Sequence, residues 1–347
     1  MQKQTITDEI DAKILTTLLL DSRTSFAEIA RDCKISAVAV RARYKNLWKA
    51  GIIVEEIMQI NPICLGYHCV CDFVVLTNSQ YEKEAKQFLK ARPYIADVFE
   101  NIINHADGTL SIPCVAAFHN VEELSRAVAD LEGNQLIKHV NTLLWANFAS
   151  LDYVENLIIK PLTEKKKMKS ALFDIKIERI EMDEKDRKIA EILAQNSRTS
   201  FRKIGEQLGI STKNVTQRYE KLKGTLFIRS TLRVNLSKLG YSAMMGVLIN
   251  IKNRSETPEI IAQIAQIPNA IAIANFIGNW DLFVDVALEN FQDLFKIRKM
   301  FFNIKGIARA EFNLTAVHNV WPPYTFASLI KSKINSIDKS LKASRVC

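Results

Sequence analysis

The sequence predicts an α+β fold in which two helical domains alternate with two sheet domains. Three observations support this prediction. The stretch Ser-Arg-Thr-Ser-Phe occurs at residues 22–26 and again at residues 197–201. Each occurrence lies between segments of helical periodicity, and each is followed by strand-like apolar runs that alternate with helical stretches. The 347 residues, 48% of them hydrophobic, are enough for several cores, since domains usually have ~100–200 residues.

The repeat extends well beyond these five residues. Residues 8–48 placed on residues 183–223 give 18 identities in 41 positions without a gap. After a one-residue deletion the match resumes at Leu65-Gly66-Tyr67 against Leu239-Gly240-Tyr241. We therefore interpret the chain as a duplication of one unit about 170 residues long.

Each unit begins with three short predicted helices. Ile10, Ile14 and Leu18 recur at four-residue spacing, which is typical of the buried face of a helix. Residues suited to the N-cap precede each helix in both units: Asp8, Ser25 and Ser36, then Asp183, Ser200 and Ser211. A tight turn before the third helix completes the helix-turn-helix plan. Arg23 and Arg198, at the join of the first two helices, could bind a carboxylate or a phosphate, and a structural role is favoured.

The third helix of each unit is a candidate for binding the major groove of double-stranded DNA. Its inward positions are apolar, and its outward side chains can donate to or accept from base edges or touch thymine methyl groups. The predicted DNA-binding residues are Ser36, Ala37, Val38, Ala39, Arg41, Ala42 and Lys45 in the first unit, and Ser211, Thr212, Lys213, Asn214, Thr216 and Gln217 in the second. One such helix alone is better explained by a solvated surface, but two capped copies in the same frame favour DNA.

Charge is distributed unevenly along the chain. The formal net charge of +9 includes +6 in residues 178–240 and −6 in residues 66–155. A basic segment beside an acidic one indicates a part that faces a polyanion and a part that is kept away from it.

The rest of each unit is predicted to form a sheet domain with the order βαββαβ. In the second unit the strands are expected at 244–251, 270–277, 282–288 and 307–314, with helices at 258–267 and 291–302. In the first unit the strands are expected at 67–77, 94–103, 109–118 and 140–150, with helices at 79–91 and 120–131. This order predicts a ferredoxin-like sheet with helices on one face.

These motifs together resemble the leucine-responsive/asparagine regulator (Lrp/AsnC) family. The resemblance is carried by Asp8-x-x-Asp11-x-x-Ile14-Leu15, by Ser22-Arg23-x-Ser25-Phe26, by Ile35-Ser36-x-x-x-Val40-x-x-Arg43-Tyr44, by Gly51-Ile52-Ile53 and by Asn61-Pro62-x-x-Leu65-Gly66. It implies winged helix-turn-helix domains that bind DNA, and ferredoxin-like sensor domains whose sheets pair between protomers. The second unit has Leu226-Phe227-Ile228 in place of Gly51-Ile52-Ile53, so its wing departs from the pattern.

With this resemblance the chain divides into six parts. These are a winged helix-turn-helix domain at 1–65, a degenerate sensor domain at 66–155, a basic linker at 156–177, a second winged helix-turn-helix domain at 178–240, a second sensor domain at 241–325, and a basic tail at 326–347. A chain that holds two of each domain could form the dimer of this family with itself, and further copies could associate through the sensor domains.

The resemblance also implies a small-molecule site in the second sensor domain. The family's Gly-x-aromatic-Asp turn is present as Gly278-Asn279-Trp280-Asp281, which we expect to lie near an amino-acid or related metabolite effector. A plain tight turn is an equally good interpretation. The first unit has Asn104-His105-Ala106-Asp107-Gly108 at this place, so its site is expected to be altered or lost.

Other functional classes receive less support from the residues. The sequence lacks a Gly-rich phosphate loop, a Gly-x-Ser-x-Gly motif and a His-Glu-x-x-His motif, so no catalytic residue, cofactor or metal site is predicted. Two alternatives stay open: a haem-pathway (siroheme-type) decarboxylase that resembles this family, and an assembly protein that no longer binds DNA. No apolar run reaches the ~18–20 residues that span a bilayer, so a cytoplasmic, nucleoid-associated protein is expected.

Overall fold

The computed structural model describes residues 8–99, 103–146, 156–157, 159, 180–317, 319–322 and 326–330. Within these ranges, no helix has the length and apolar character needed to cross a bilayer.

The first helix-turn-helix domain consists of α1 (Glu9–Leu20), α2 (Phe26–Cys33), α3 (Ala37–Lys49) and the strand β1 (Ile53–Ile60). The side chains of Asp8, Ser25 and Ser36 accept hydrogen bonds from first-turn amides, as predicted. These caps satisfy amide donors that a helix leaves without a partner. Lys34 adopts the left-handed conformation with φ 56°, and this ends α2 and turns the chain into α3.

The second helix-turn-helix domain repeats this arrangement. Its elements are α6 (Glu184–Gln195), α7 (Phe201–Leu208), α8 (Thr212–Leu222) and β7 (Phe227–Val234). Asp183, Ser200 and Ser211 provide the caps. Gly209, with φ 63°, stands where the first domain has Lys34, and glycine adopts this conformation without steric cost.

The strand after each helix-turn-helix pairs with its counterpart from the other unit. β1 and β7 run antiparallel, and Ile57 lies opposite Thr231, the equivalent residue of the second unit. Pairing between equivalent residues places a pseudo-twofold axis at this point of the ribbon. Within the described residues, each unit therefore contributes one strand to a shared two-stranded ribbon at the place where a wing is expected.

The second ferredoxin-like domain confirms the predicted order closely. It comprises β8 (Ala243–Ile251), α9 (Thr257–Ile264), β9 (Ala270–Ile277), β10 (Leu282–Leu288), α10 (Phe291–Phe302) and β11 (Ile307–Ala316). The bounds of β9, β10 and α10 are those expected from the sequence. The strands lie in the order β11-β8-β10-β9, which is the arrangement of a βαββαβ sheet.

The first ferredoxin-like domain has the same plan with one difference. It comprises β2 (Cys69–Asn78), α4 (Glu82–Lys90), β3 (Ile95–Val98), β4 (Ile103–Asn104), β5 (Thr109–Phe118), α5 (Val121–Glu132) and β6 (His139–Trp145). The single strand expected at 94–103 is wrong, because the structure has the two short strands β3 and β4 there, both paired with β5. Within β3, the pairing with β5 has a register shift between Ile95 and Asp97.

The two sheets join into one sheet of nine strands. β6 of the first domain pairs with β9 of the second through Leu144 opposite Ile277 and Trp145 opposite Phe276. The helices α4 and α5 cover one face of the first sheet, and α9 and α10 cover one face of the second, each over a separate core. The other faces contribute to a common core: Val70, Val115, Ala117, Leu143 and Trp145 lie in it with Ala274 and Phe276.

Short described parts of the predicted linker and tail pack against the domains. The Asn156 side chain donates to the carbonyls of Ala265 and Ala270 at 2.8 and 3.0 Å. Phe326, the first residue of the predicted tail, is buried edge-on against Trp145 with ring centroids 5.7 Å apart. The basic stretch at 160–169 and residues 331–347 lie outside the described residues.

Candidate nucleic-acid interface

The helix α3 presents most of the residues predicted to bind DNA to solvent. Val38 is 78% exposed, Ala37, Arg41, Ala42 and Lys45 are also exposed, and Ala39 is half-buried. The Ser36 hydroxyl accepts from the Ala39 amide at 3.1 Å, so its role in the structure is that of a helix cap. This face combines two cations with methyl groups.

The helix α8 presents a more polar face. Thr212, Lys213, Asn214 and Gln217 are exposed. Thr216 is half-buried, and its hydroxyl donates to the Thr212 carbonyl at 3.0 Å. Ser211 is the N-cap and accepts from the Asn214 amide at 3.2 Å. The amide side chains of Asn214 and Gln217 can each donate and accept, which is the chemistry that adenine edges require.

Ion pairs fix each of these helices to the first helix of its own domain. Arg43 of α3 pairs with Asp8 at 2.7 Å and with Asp11 at 2.9 Å. The equivalent Arg218 of α8 pairs with Asp183 and with the buried Asp186, at 2.7 and 2.6 Å. Hydrogen bonds from the Asp186 amide and from Arg218 lower the pKa of Asp183 below its ordinary value. These arginines were not assigned a role from the sequence, although their identity in both repeats is a visible signal.

The two Ser-Arg-Thr-Ser-Phe stretches bind each other across the pseudo-twofold axis. The hydroxyls of Ser22 and Ser197 are 2.7 Å apart. Arg23 donates to the carbonyls of Ser197 and Thr199, and Arg198 donates to the carbonyls of Ser22 and Thr24. We call this reciprocal set of contacts the arginine clamp. Both arginines have the favoured structural role: they bind backbone carbonyls of the other unit, and Arg198 also lies near a carboxylate, that of Glu56.

The two arginines of the clamp also contact aromatic rings on the second and third helices of each helix-turn-helix domain. The Arg23 guanidinium lies 4.4 Å from the ring centroid of Phe201 and 5.2 Å from that of Tyr219 on α8. Arg198 lies 4.5 Å from Phe26 and 5.7 Å from Tyr44 on α3. Each arginine therefore connects the loop of its own domain to the second and third helices of the other domain. Such cation–π contacts are worth about 0.5–2 kcal/mol each.

One half of the clamp has an additional carboxylate. Glu56 accepts a hydrogen bond from the Tyr44 hydroxyl and lies 3.4 Å from Arg198 Nε. Burial and the hydrogen bond to Glu56 raise the pKa of Tyr44 well above its usual range. In the other half Ser230 takes the equivalent place and donates to Asp21. The two helix-turn-helix domains are thus held in a fixed relation by similar but unequal contacts.

The predicted effector turn lies at the seam between the two ferredoxin-like domains. Gly278 and Asn279 are exposed, and a Cβ on Gly278 would lie 3.4 Å from the Thr142 carbonyl of β6. The Gly278 φ of 155° together with this close approach favours glycine. Asn279 accepts a hydrogen bond from Asn250, and Trp280 stacks with Arg309 at 4.7 Å.

Asp281, the last residue of this turn, is buried and its carboxylate has protein partners. One oxygen accepts from the Ile251 amide at 2.8 Å, and the other lies 2.6 Å from Arg254. These contacts fix the turn to the end of β8. At the corresponding turn of the first domain His105 bonds to Ser111 and Asp107 accepts from Thr109. The two turns therefore use different residues.

A carboxylate that the sequence did not single out lies on the inner face of the first sheet. Asp72 accepts from Trp145 Nε1 at 3.0 Å. Burial raises the pKa of Asp72 to about 7, the Trp145 hydrogen bond opposes this shift, and Asp285 of the second sheet adds to it. Its only sequence signal is an acidic residue inside an apolar strand. Within the described part of the chain, no three His, Cys, Asp or Glu side chains are grouped as metal ligands would be.

Comparison with known proteins agrees with this geometry. A family model for the AsnC-type helix-turn-helix domain matches residues 8–47 and 182–223. The chain is 32% identical over 123 residues to the HTH-type transcriptional regulator Ptr1 of Methanocaldococcus jannaschii, covering 35% of this chain and 80% of that protein. The chain belongs to the Lrp/AsnC family. It is also 38% identical over 98 residues to the HTH-type transcriptional regulator LrpA of Pyrococcus horikoshii, covering 28% of this chain and 70% of that one.

A solved structure resembles this Lrp/AsnC-family chain over almost its full length. The siroheme decarboxylase NirDL superimposes with a TM-score of 0.60, covering 95% of this chain and 100% of the other, at 15% sequence identity. This likeness shows that the two chains share a fold. In the present chain, that fold consists of two helix-turn-helix domains and two ferredoxin-like domains.

Proposed function

We propose that this protein is a sequence-specific transcriptional regulator that binds double-stranded DNA with α3 and α8 together. The observation that supports this proposal is the arginine clamp, because it joins two capped helices with exposed polar faces into one pseudo-dimeric unit. A regulator that reads two half-sites needs such a fixed relation between its readers. The similarity to archaeal transcriptional regulators supports the same function.

The two recognition faces differ, and so should the half-sites. Lys213, Asn214 and Gln217 offer hydrogen bonds to guanine and adenine edges. Val38 and Ala42 offer methyl contacts beside the cations Arg41 and Lys45. The proposed operator is therefore a pair of unlike half-sites separated by about one helical turn, or a multiple of it. A basic segment such as Lys165-Lys166-Lys167 would add phosphate contacts that carry no sequence information.

Selection of bound fragments from genomic DNA tests this function. The wild-type chain is expected to enrich fragments with two unlike half-sites and to lose affinity steeply as salt increases. Lys45→Glu with Lys213→Glu should abolish enrichment. The matched control is Lys83→Glu with Lys90→Glu on α4 of the acidic first domain, which makes the same charge change and should keep enrichment. Wild-type protein that enriches no sequence would refute the proposal.

We further propose that a small metabolite of the amino-acid class binds near Gly278 and Asn279. The support is the position of this turn at the seam between β6 and β9, where a ligand would touch both domains. Since both Asp281 oxygens have protein partners, the ligand is expected to bind through the exposed backbone of the turn and the exposed side chain of Asn279. Calorimetry against the twenty amino acids tests this, and Asn279→Ala should weaken any binding that is found. If calorimetry detects no binding of any amino acid to the wild-type chain, this class of effector is ruled out.

A second candidate function is supported by the overlay with NirDL, a siroheme decarboxylase. The shared architecture makes tetrapyrrole chemistry the alternative to DNA binding for a duplicated chain of this kind. Absorbance titration with an iron tetrapyrrole separates the two functions. Tight binding of the tetrapyrrole without enrichment of DNA would favour the decarboxylase, and enrichment of DNA without tetrapyrrole binding would favour the regulator.

A further inference from the structure

The two halves of the arginine clamp take their carboxylates from different places. In the half around Arg23, the carboxylate belongs to Asp21, two residues earlier in the chain. Its Oδ1 accepts from the Arg23 amide at 2.9 Å and from the hydroxyl of Ser230 on β7. Burial lowers the pKa of Arg23, and the negative charge of Asp21 opposes this shift. In this half the loop is acidic, and the ribbon strand contributes a neutral side chain.

The half around Arg198 has the opposite arrangement. Its loop has the neutral Asn196, whose Oδ1 accepts from the Arg198 amide at 3.0 Å, as that of Asp21 does in the other half. Here the ribbon supplies the carboxylate. Glu56 of β1 stands where β7 has Ser230, and it lies 3.4 Å from Arg198 Nε. Each arginine therefore has a carboxylate beside it, and the two units provide it from exchanged positions.

These positions would be unbalanced in any pairing of like units. Two first units, from two copies of the chain, would bring Asp21 of one and Glu56 of the other to the same arginine, twice. Two second units would bring Asn196 and Ser230 together and leave both arginines without a carboxylate from these positions. Neighbouring carboxylates repel each other, and a partly buried arginine needs a counter-charge. Of the three pairings, that of a first unit with a second unit gives a single carboxylate to each arginine.

The ribbon of β1 and β7 shows the same preference independently. Glu55 lies opposite Arg233, and their side chains form an ion pair at 3.1 Å. Gln59 lies opposite Arg229 and accepts from its Nε at 3.3 Å. About the same axis, two second units would place Arg229 opposite Arg233 twice, and two first units would place Glu55 opposite Gln59. Like charges directly opposite each other on neighbouring strands are destabilising, so the ribbon disfavours the pairing of two second units.

We propose that Asp21, Glu56 and the charges of the ribbon determine which helix-turn-helix domains pair, so that the first domain pairs with the second and neither pairs with its counterpart in another copy. Because both units belong to one chain, their high effective concentration then makes this pairing intramolecular. The chain closes on itself instead of exchanging helix-turn-helix domains with a second copy. Duplication alone does not produce this choice, since two identical units would pair equally well in every combination.

Hydrogen exchange of the full chain, measured without DNA, tests this inference independently of the proposed function. The amides of Ser22 and Ser197 donate across the axis to the carbonyls of Ser230 and Glu56, both at 3.1 Å. Their exchange therefore reports the opening of the paired domains. Mass spectrometry of the peptides that contain these two amides gives their protection factors, after correction for the intrinsic exchange rate of each sequence.

Two single substitutions reproduce the charges of the like pairings in one half of the clamp. Asn196→Asp places two carboxylates at Arg198, as two first units would, and Glu56→Ser leaves Arg198 without one, as two second units would. Each should lower the protection factors by about tenfold. Glu56→Ser with Asn196→Asp gives this half the arrangement of the other half. This double variant should return the protection factors to within about threefold of those of the wild-type chain.

A second cycle tests the half around Arg23. Asp21→Asn and Ser230→Glu should each lower the protection factors, and the two together should restore them. The matched controls are Glu122→Ser on α5 and Asn303→Asp after α10, which make the charge changes of the first cycle at exposed residues and should keep wild-type protection. Single variants with wild-type protection would overturn the inference, as would a double variant, in either half, that is no better protected than its single variants.

Discussion

At the scale of single residues, the two copies have kept the framework and changed the reading face. The N-caps, several inward apolar residues such as Val40 and Val215, and the arginines Arg43 and Arg218 are the same in both units. The outward positions differ, with Val38 and Ala42 in one copy and Lys213 and Gln217 in the other. Framework residues are constrained by buried contacts, whereas exposed residues are constrained only by what they bind.

The first prediction concerns base discrimination by α8. Gln217→Ala should reduce the preference for cognate over random DNA by about tenfold, since a good bidentate contact is worth ~1–3 kcal/mol against a wrong base. Lys165, Lys166 and Lys167 replaced together by Ala should instead weaken binding to both DNAs alike. Fluorescence anisotropy with cognate and scrambled duplexes measures both ratios. Equal losses on both duplexes for Gln217→Ala would contradict the base contact.

The second prediction concerns Asp72, a half-buried carboxylate on the inner face of the first sheet. Its pKa of about 7 in the folded chain lies above the ordinary value of 3.8, so folding favours the protonated form. The stabilising contribution of this proton is complete below pH 4 and is lost as the pH rises through about 7. Asp72→Asn is always neutral and can still accept from Trp145. At pH 8 it should therefore raise the free energy of unfolding by on the order of 4 kcal/mol more than at pH 4, because a pKa difference of about 3 units corresponds to ~1.4 kcal/mol per unit.

Urea unfolding of wild type and Asp72→Asn at the two pH values gives this difference directly. The exposed Glu122→Gln on α5 is the control and should show no such dependence on pH. An Asp72→Asn effect of equal size at pH 4 and pH 8 would mean that the pKa of Asp72 is not raised in the folded chain.

At the scale of elements, local patterns predicted the helices and strands but not their partners. The bounds of β9, β10 and α10 follow from short-range periodicity and caps, which the sequence displays. The segment 94–103 was predicted as one strand, whereas in the structure β3 ends at Val98 and β4 begins at Ile103. The partners of Arg23 are carbonyls 174 and 176 positions away, and no local pattern reveals contacts at such a separation.

The same limit applies to the candidate sites. The exposed faces of α3 and α8 follow from helical periodicity, so their orientation could be predicted. The seam between β6 and β9, and the meeting of Asp72 with Trp145, depend on which edges and faces of two sheets come together. Those choices depend on the packing of whole domains, which local patterns in the sequence do not reveal.

The third prediction concerns the arginine clamp as a spacer between α3 and α8. Arg23→Gln with Arg198→Gln removes the charged hydrogen bonds and the cation–π contacts that join the two domains. The variant should bind each half-site as before, but its preference among spacers that differ by 1–2 base pairs should fall by about tenfold, equivalent to about 1.4 kcal/mol. Arg31→Gln with Arg202→Gln removes the same charge from exposed positions and should keep the wild-type spacer profile. Electrophoretic shifts over a series of spacers measure this, and an unchanged profile in the clamp variant would disprove it.

At the scale of the whole molecule, duplication replaces a symmetric dimer with a pseudo-dimer. The pairing of Ile57 with Thr231, the contact of Ser22 with Ser197 and the reciprocal arginines all relate equivalent residues of the two units. The sheets depart from this symmetry, because β6 pairs with β9 whereas the equivalent β11 pairs with β8 alone among the described residues. One chain can therefore contain two different DNA-binding helices, α3 and α8. Its two ferredoxin-like domains can likewise have different surfaces.

The last prediction converts the pseudo-dimer into a symmetric reader. The substitutions Val38→Lys, Ala39→Asn, Arg41→Thr and Ala42→Gln give α3 the outward residues that stand 175 positions later on α8. If the clamp holds the two helices about the pseudo-twofold axis, this variant should prefer an inverted repeat of the α8 half-site by about tenfold or more over the natural asymmetric site, whereas the wild-type chain should show the opposite preference. Competition binding at concentrations where the chain has the mass of one copy measures both preferences. A variant that still prefers the asymmetric site would mean that residues outside the third helices determine the half-site, and that two readers related by the axis do not bind DNA together.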